Sequence, residues 1–233
     1  MISQKIYAFI IGFYITSHCF MTKAMANEIP GWSIKQQNRW YGLQEFSITK
    51  DKIRIDNSFG HTIITNNDKL VTIYNDSSKC ITRQPPETIV SFMLHRNKTP
   101  TTNIHNFKQV ANKNEHGYNV VKYSYSATKG QYNLDSFIYV IANIKLSPSV
   151  MQMVDKILLC NVPGFPCKQV SIFKYPNGSH SKPLIHYYTT AINKSNFNQT
   201  VFNLPQNYKE VETLTQLIFD AEESQSVATG KFK

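Results

Sequence analysis

The side chains in this sequence most able to do chemistry are its thiols, its histidines and one arginine set in a strand. Past a short N-terminal apolar segment the cysteines are Cys80, Cys160 and Cys167. A cysteine becomes a nucleophile or a metal ligand as the thiolate, which needs a neighbouring base or cation. No family signature surrounds these three. Cys160 and Cys167 bracket Asn161-Val162-Pro163-Gly164-Phe165-Pro166, a short loop with a Pro-Gly turn, so in an oxidising compartment they are the easiest pair to bridge. An odd thiol would then be left.

His61, His95, His105, His116, His180 and His186 show neither CxxC-type nor HxxxH-type spacing, so no metal is expected. Ser179-His180-Ser181 falls in a turn, where adjacency alone does not make a catalytic pair. GxSxG, HExxH, P-loop and GxGxxG patterns are absent from the sequence. The reading is therefore of a protein that is not an enzyme and takes no cofactor. A thiol hydrolase is the alternative to keep in view.

The elements that would carry these residues lie in a chain of 233 residues, 41% hydrophobic and 12% aromatic, with 25 Lys+Arg against 15 Asp+Glu. That is a globular composition. Lys5, the apolar run Ile6 to Ile15 and the small-x-small site Ala24-Met25-Ala26 read as a cleaved export signal over residues 1–26, too short for a ~20-residue membrane span. Cys19 follows Thr16, Ser17 and His18, which does not match a lipoprotein signal. Residues 27–233 form a single domain ending in a flexible tail, keep a formal charge of +8 and divide at no Pro/Gly/Ser-rich linker. Periplasmic or extracellular residence is expected. A basic excess suits an anionic partner such as a membrane surface, and export argues against nucleic acid. No Lys/Arg run concentrates the charge.

Hydrophobic alternation places strands at Trp40 to Ile48, Lys52 to Asp56, His61 to Thr65, Leu70 to Tyr74, Cys80 to Arg83, Tyr118 to Ala127, Leu134 to Leu146, Cys167 to Tyr175 and Pro183 to Ile192. Trp40, Phe46 and Ile48 would share one face, and Arg54 would oppose Ile53 and Ile55. Pro85-Pro86-Glu87 starts a helix whose face is Ile89, Phe92 and Met93. Ser147-Pro148 starts a second, ending near Cys160, and Val211 to Glu222 reads as a third, with Leu214, Leu217 and Ile218 inward. Thr99 to Asn106 reads as a polar loop, and Asn177-Gly178 as a hairpin turn. The fold class is thus α+β: about nine strands, antiparallel throughout, with two or three helices on one face of a large curled sheet.

This order of elements resembles the superfamily of the periplasmic outer-membrane lipoprotein carrier, the LolA-like fold. The resemblance is carried by Arg39-Trp40 through Lys52-Ile53-Arg54-Ile55-Asp56 and Leu70 to Asn75, by the helix after Pro85-Pro86, by Pro163-Gly164-Phe165-Pro166, and by Phe202 through Val211. It implies an incomplete β-barrel whose concave face is roofed by helices over an apolar cavity for acyl chains. Trp40, Phe46, Ile89, Phe92 and Met93 are the cavity candidates. Burial of an acyl chain yields ~0.8 kcal/mol per CH2, so such a cavity needs little polar contact to hold a lipid or an acylated protein. In that family an arginine on an early strand ties the roof shut, and Arg54 is the nearest match. The family's Arg-Pro pair is absent, because Ile55 follows Arg54, and a solvated or ion-paired arginine is the other reading. A monomeric carrier or sensor is the expectation, with a protein-binding module on the same scaffold as the alternative.

Overall fold

The computed structural model describes residues 28–96, 102–115, 117–129, 132–158 and 162–218. The export signal, Cys160 and the C-terminal tail lie outside them. One sheet of twelve strands organises the described chain, and its two edge strands do not pair with each other. Strands β1 (Glu28–Asn38), β2 (Gly42–Ile48), β3 (Lys52–Asn57), β4 (Gly60–Thr65), β5 (Val71–Asn75) and β6 (Cys80–Gln84) form one meander. Helix α1 (Pro86–Arg96) then leads to the far edge, where β7 (Thr102–Glu115), β8 (Tyr118–Lys129) and β9 (Tyr132–Ile141) form a second. Helix α2 (Pro148–Leu158) precedes β10 (Phe165–Lys174) and β11 (Leu184–Asn198). Pairing of β1 with β11, from Glu28 opposite Asn198 to Asn38 opposite Tyr187, welds the two meanders.

Three expectations are corrected. The strand expected at Trp40 begins at Gly42, because Asn38 Oδ1 accepts hydrogen bonds from the Trp40 and Tyr41 amides and turns the chain there. Strands β1 and β7 were not foreseen, and β7 occupies most of the expected polar loop. Nor is pairing antiparallel throughout: β12 (Lys209–Glu210) runs parallel to β6, Lys209 opposite Cys80 and Glu210 opposite Ile81. The sheet-dominated α+β architecture stands.

The core follows from strand alternation. One cross-strand row reads Ile34, Phe46, Ile55, and the next Trp32, Ile48, Ile53, Ile64. These residues share a buried cluster with Ile89 of α1, with Val150, Met153 and Val154 of α2, and with Leu214 and Leu217 of α3 (Leu214–Ile218). All three helices therefore pack on the same face of the strands, as apolar side chains two residues apart require. On the opposite face, Ile63, Tyr74 and Ile81 are covered by Leu204 and Tyr208 of the segment that follows the 3-10 turn Gln199–Phe202.

Candidate functional site

Helix α1 begins where Pro85 and Pro86 stop the β6 ladder. The Pro85 carbonyl accepts from the Thr88 amide, and Glu87 sits in the first turn, where a carboxylate suits the positive end of the helix. Ile89, 2% exposed, and the part-buried Phe92 then point to the sheet. Helix α3 has only five residues and is held from outside. Thr213 Oγ1 accepts from the Gln216 amide while Gln216 Oε1 accepts from the Thr213 amide, a reciprocal capping box. Ser78 Oγ donates to the Leu217 carbonyl, and Gln84 Nε2 donates to that of Glu212. The β5–β6 hairpin thus carries α3.

Between these two helices and the sheet lies a cavity of about 270 Å3. Its floor is the cross-strand pair Thr62 and Ile73, and its walls are Ile89, Phe92, Leu214, Leu217 and Ile218. Trp40, Tyr41, Asn57, Phe59 and Gly60 form the mouth. The Tyr41 and Phe59 rings meet edge to face at 5.9 Å, and Trp40 and Phe59 are 48% and 37% exposed. Two large aromatics are therefore held at an opening rather than folded into the core. Gly60 is required there: its φ is 132°, and an added Cβ would stand 2.4 Å from the Tyr74 carbonyl oxygen.

The structure brings three of the five cavity candidates, Trp40, Ile89 and Phe92, onto this one cavity. Phe46 is elsewhere in the core, edge to face with Phe165 at 5.3 Å beneath α2. Met93 lies on α1, and its side chain is outside the described residues. Arg54 is placed on the other face of the sheet. Its Nε donates to Asp56 Oδ1 at 2.8 Å and its Nη1 to the Val201 carbonyl at 2.9 Å, and a ring nitrogen of His61 lies 3.2 Å from Nη2. The ion-paired reading describes these contacts, which clasp the 3-10 turn rather than a helix.

The same network continues through His61 to Asp76, whose carboxyl is held below its ordinary range first by the hydrogen bond from Tyr208 Oη. Cys80 Sγ lies 3.4 Å from the Ser78 carbonyl and Cys167 Sγ 3.2 Å from that of Tyr139, both buried. Bridging to Cys160 falls outside the described residues. Among those residues no group of three His, Cys, Asp or Glu side chains gathers to hold a metal.

Cavity residues that sequence reasoning did not single out are those of the β4–β5 floor and the mouth residues other than Trp40. Leu214 and Leu217 carry a helical spacing that marked them as inward. Phe59 and Gly60 sit in a turn without periodicity, and only their geometry reveals them. No protein-family model matches the chain, and no curated protein matches it.

Proposed function

We propose that the protein, exported and residing in the periplasm or outside the cell, binds an acyl chain of a lipid or acylated protein beneath α1 and α3. In this reading the three helices roof the concave face of a half-open sheet, as in the lipoprotein carriers it resembles, and it transfers or senses the chain without catalysing a reaction. The observation that carries the reading is the apolar cavity between Ile73, Ile89, Phe92, Leu214 and Leu217, open through an aromatic mouth. At about 270 Å3 it lies just below the ~300–1,000 Å3 typical of small-molecule pockets, suited to part of one chain.

The test is native mass spectrometry of protein purified without detergent, followed by organic extraction. Co-purified fatty acid, phospholipid or acylated peptide supports the reading. A clean apo mass, with no uptake of a fluorescent acyl probe, sinks it. The half-exposed Trp40 at the mouth favours, as the second reading, a contact surface for another protein.

A further inference from the structure

A second cavity, separate from the first, lies against β8 to β11 and measures about 700 Å3. Its floor is apolar: Val120, Ile141 and Ile192 continue the core cluster. Ile185 and Tyr188, 45% and 42% exposed, stand on its wall. Above this floor the strand register aligns Lys122, Tyr139, Lys168 and Tyr188 in one cross-strand row. Lys122 Nζ is 4.2 Å from the Phe137 ring centre and 5.5 Å from that of Tyr139, and Lys168 Nζ is 5.4 Å from Tyr139 on the other side. Lys113 and Lys168 line the cavity, and Lys122 borders it beside the lining residue Tyr139.

Several carboxylates are paired elsewhere. Lys35 has Glu45, Arg83 has Glu210, Lys174 has Asp135 and Lys156 has Glu87. Among the residues whose side chains are described, no carboxylate lines the groove, and none is paired with Lys122 or Lys168. Both residues are partly buried and their ammoniums stand near aromatic rings rather than carboxylates, an arrangement that an anion completes. The adjoining cavity of about 530 Å3 repeats the pattern with Lys50, Lys145 and Lys194, and Trp32 and Tyr118, ring centres 5.8 Å apart, stand at the seam.

From this geometry we infer that the groove binds a single anionic amphiphile, its carboxylate or phosphate on Lys113, Lys122 and Lys168 and its chain on the Val120, Ile141 and Ile192 floor. An extended polyanion needs no apolar floor, and a neutral lipid needs no lysines. The inference stands apart from the cavity beneath α1 and α3.

The test is calorimetric titration of the purified protein with dodecanoate and with dodecanol, both below micelle-forming concentration. Dodecanoate is expected to bind more tightly than dodecanol. Its affinity should fall about tenfold or more in K122Q/K168Q, which melts like the parent, and should fall again on raising the salt. In F92D, which blocks the first cavity, the lysine-dependent and salt-sensitive component of dodecanoate binding should persist. Equal affinity for acid and alcohol in that background, or no loss in K122Q/K168Q, overturns the inference. So does disappearance of that lysine-dependent component in F92D, which would place the anion in the first cavity. Loss of dodecanol binding in F92D, with dodecanoate retained, supports both sites independently. Retention on phosphatidylglycerol but not phosphatidylcholine vesicles, without uptake of monomeric dodecanoate, would replace the groove with a membrane-surface role.

Discussion

Glu87 Oε1 and Lys156 Nζ stand 2.7 Å apart, joining the first turn of α1 to the last turn of α2. The hydrogen bond from Lys156 holds the Glu87 carboxyl below its ordinary range, so the clasp is complete above that range and is lost as acid protonates the carboxylate. Both groups are largely exposed, which limits what the pair adds to stability. The pair ties α1, which walls the first cavity, to α2. In E87Q the melting temperature should barely change while a fluorescent acyl probe enters faster in stopped-flow, and an unchanged entry rate would remove the clasp from gating.

Phe92 is the side chain whose replacement by a charged one tests the first cavity most directly. F92D places a carboxylate against Ile73 and Leu217, where an unpaired charge is costly and an alkyl chain is repelled. Uncharged acyl-probe binding should vanish while far-ultraviolet circular dichroism stays native. Binding retained in the folded variant would move the site elsewhere.

Asp155 on α2 has its carboxyl pushed up to about 6 by burial, opposed by a hydrogen bond from the Val162 amide, and Oδ1 has no partner among the described residues. The native state therefore holds a proton that the unfolded chain releases near 3.8, and this group's stabilisation is lost as pH rises from about 4 to about 6. D155N should raise stability at pH 7.5 by on the order of 1 kcal/mol, solvent still screening the group, and should flatten the curve in that window. Denaturant titrations at pH 5 and 7.5 measure both. An unchanged pH slope in D155N would refute the assignment.

Gly60 combines a positive φ with a backbone neighbour that cannot yield. G60A should cost about 1–3 kcal/mol and open the β3–β4 turn below Phe59, read as a lower denaturation midpoint. A midpoint matching the parent would mean that the turn relaxes freely.

Arg54 holds the Val201 carbonyl against the sheet. In R54Q that tether and the Asp56 pair are lost, at about 1–2 kcal/mol, and limited proteolysis should cut sooner within residues 199–208. If the cleavage rate does not change, Leu204 and Tyr208 suffice to hold the segment.

Signals confined to a few neighbouring residues were legible in the sequence. Pro85-Pro86-Glu87 and Ser147-Pro148 start α1 and α2 where expected, because the missing proline amides and the fixed φ act within one turn. Lys52 to Asp56 alternates as a strand with Arg54 opposed to the isoleucines, and Asn177-Gly178 turns the chain with Gly178 at φ 81°. Ile89 and Phe92 were placed on the correct helical face.

What pairing across long separations creates was decided only in the tertiary structure. β1 carries Pro30, Gly31, Gln36, Gln37 and Asn38 and has little strand character of its own. It forms the central seam because β2 and β11 satisfy its backbone on both edges, because Gly31 leaves room for the Ile48 carbonyl, and because the buried Gln36 side chain donates to the Pro166 carbonyl. Polar β7 is likewise recruited by β8. The alignment of Lys122, Tyr139 and Lys168 depends on the register of three strands and on the bulge between Pro166 and Lys168. Local periodicity says which way a side chain points, whereas its neighbours across the sheet are set by hydrogen-bond register, which no short window of residues contains.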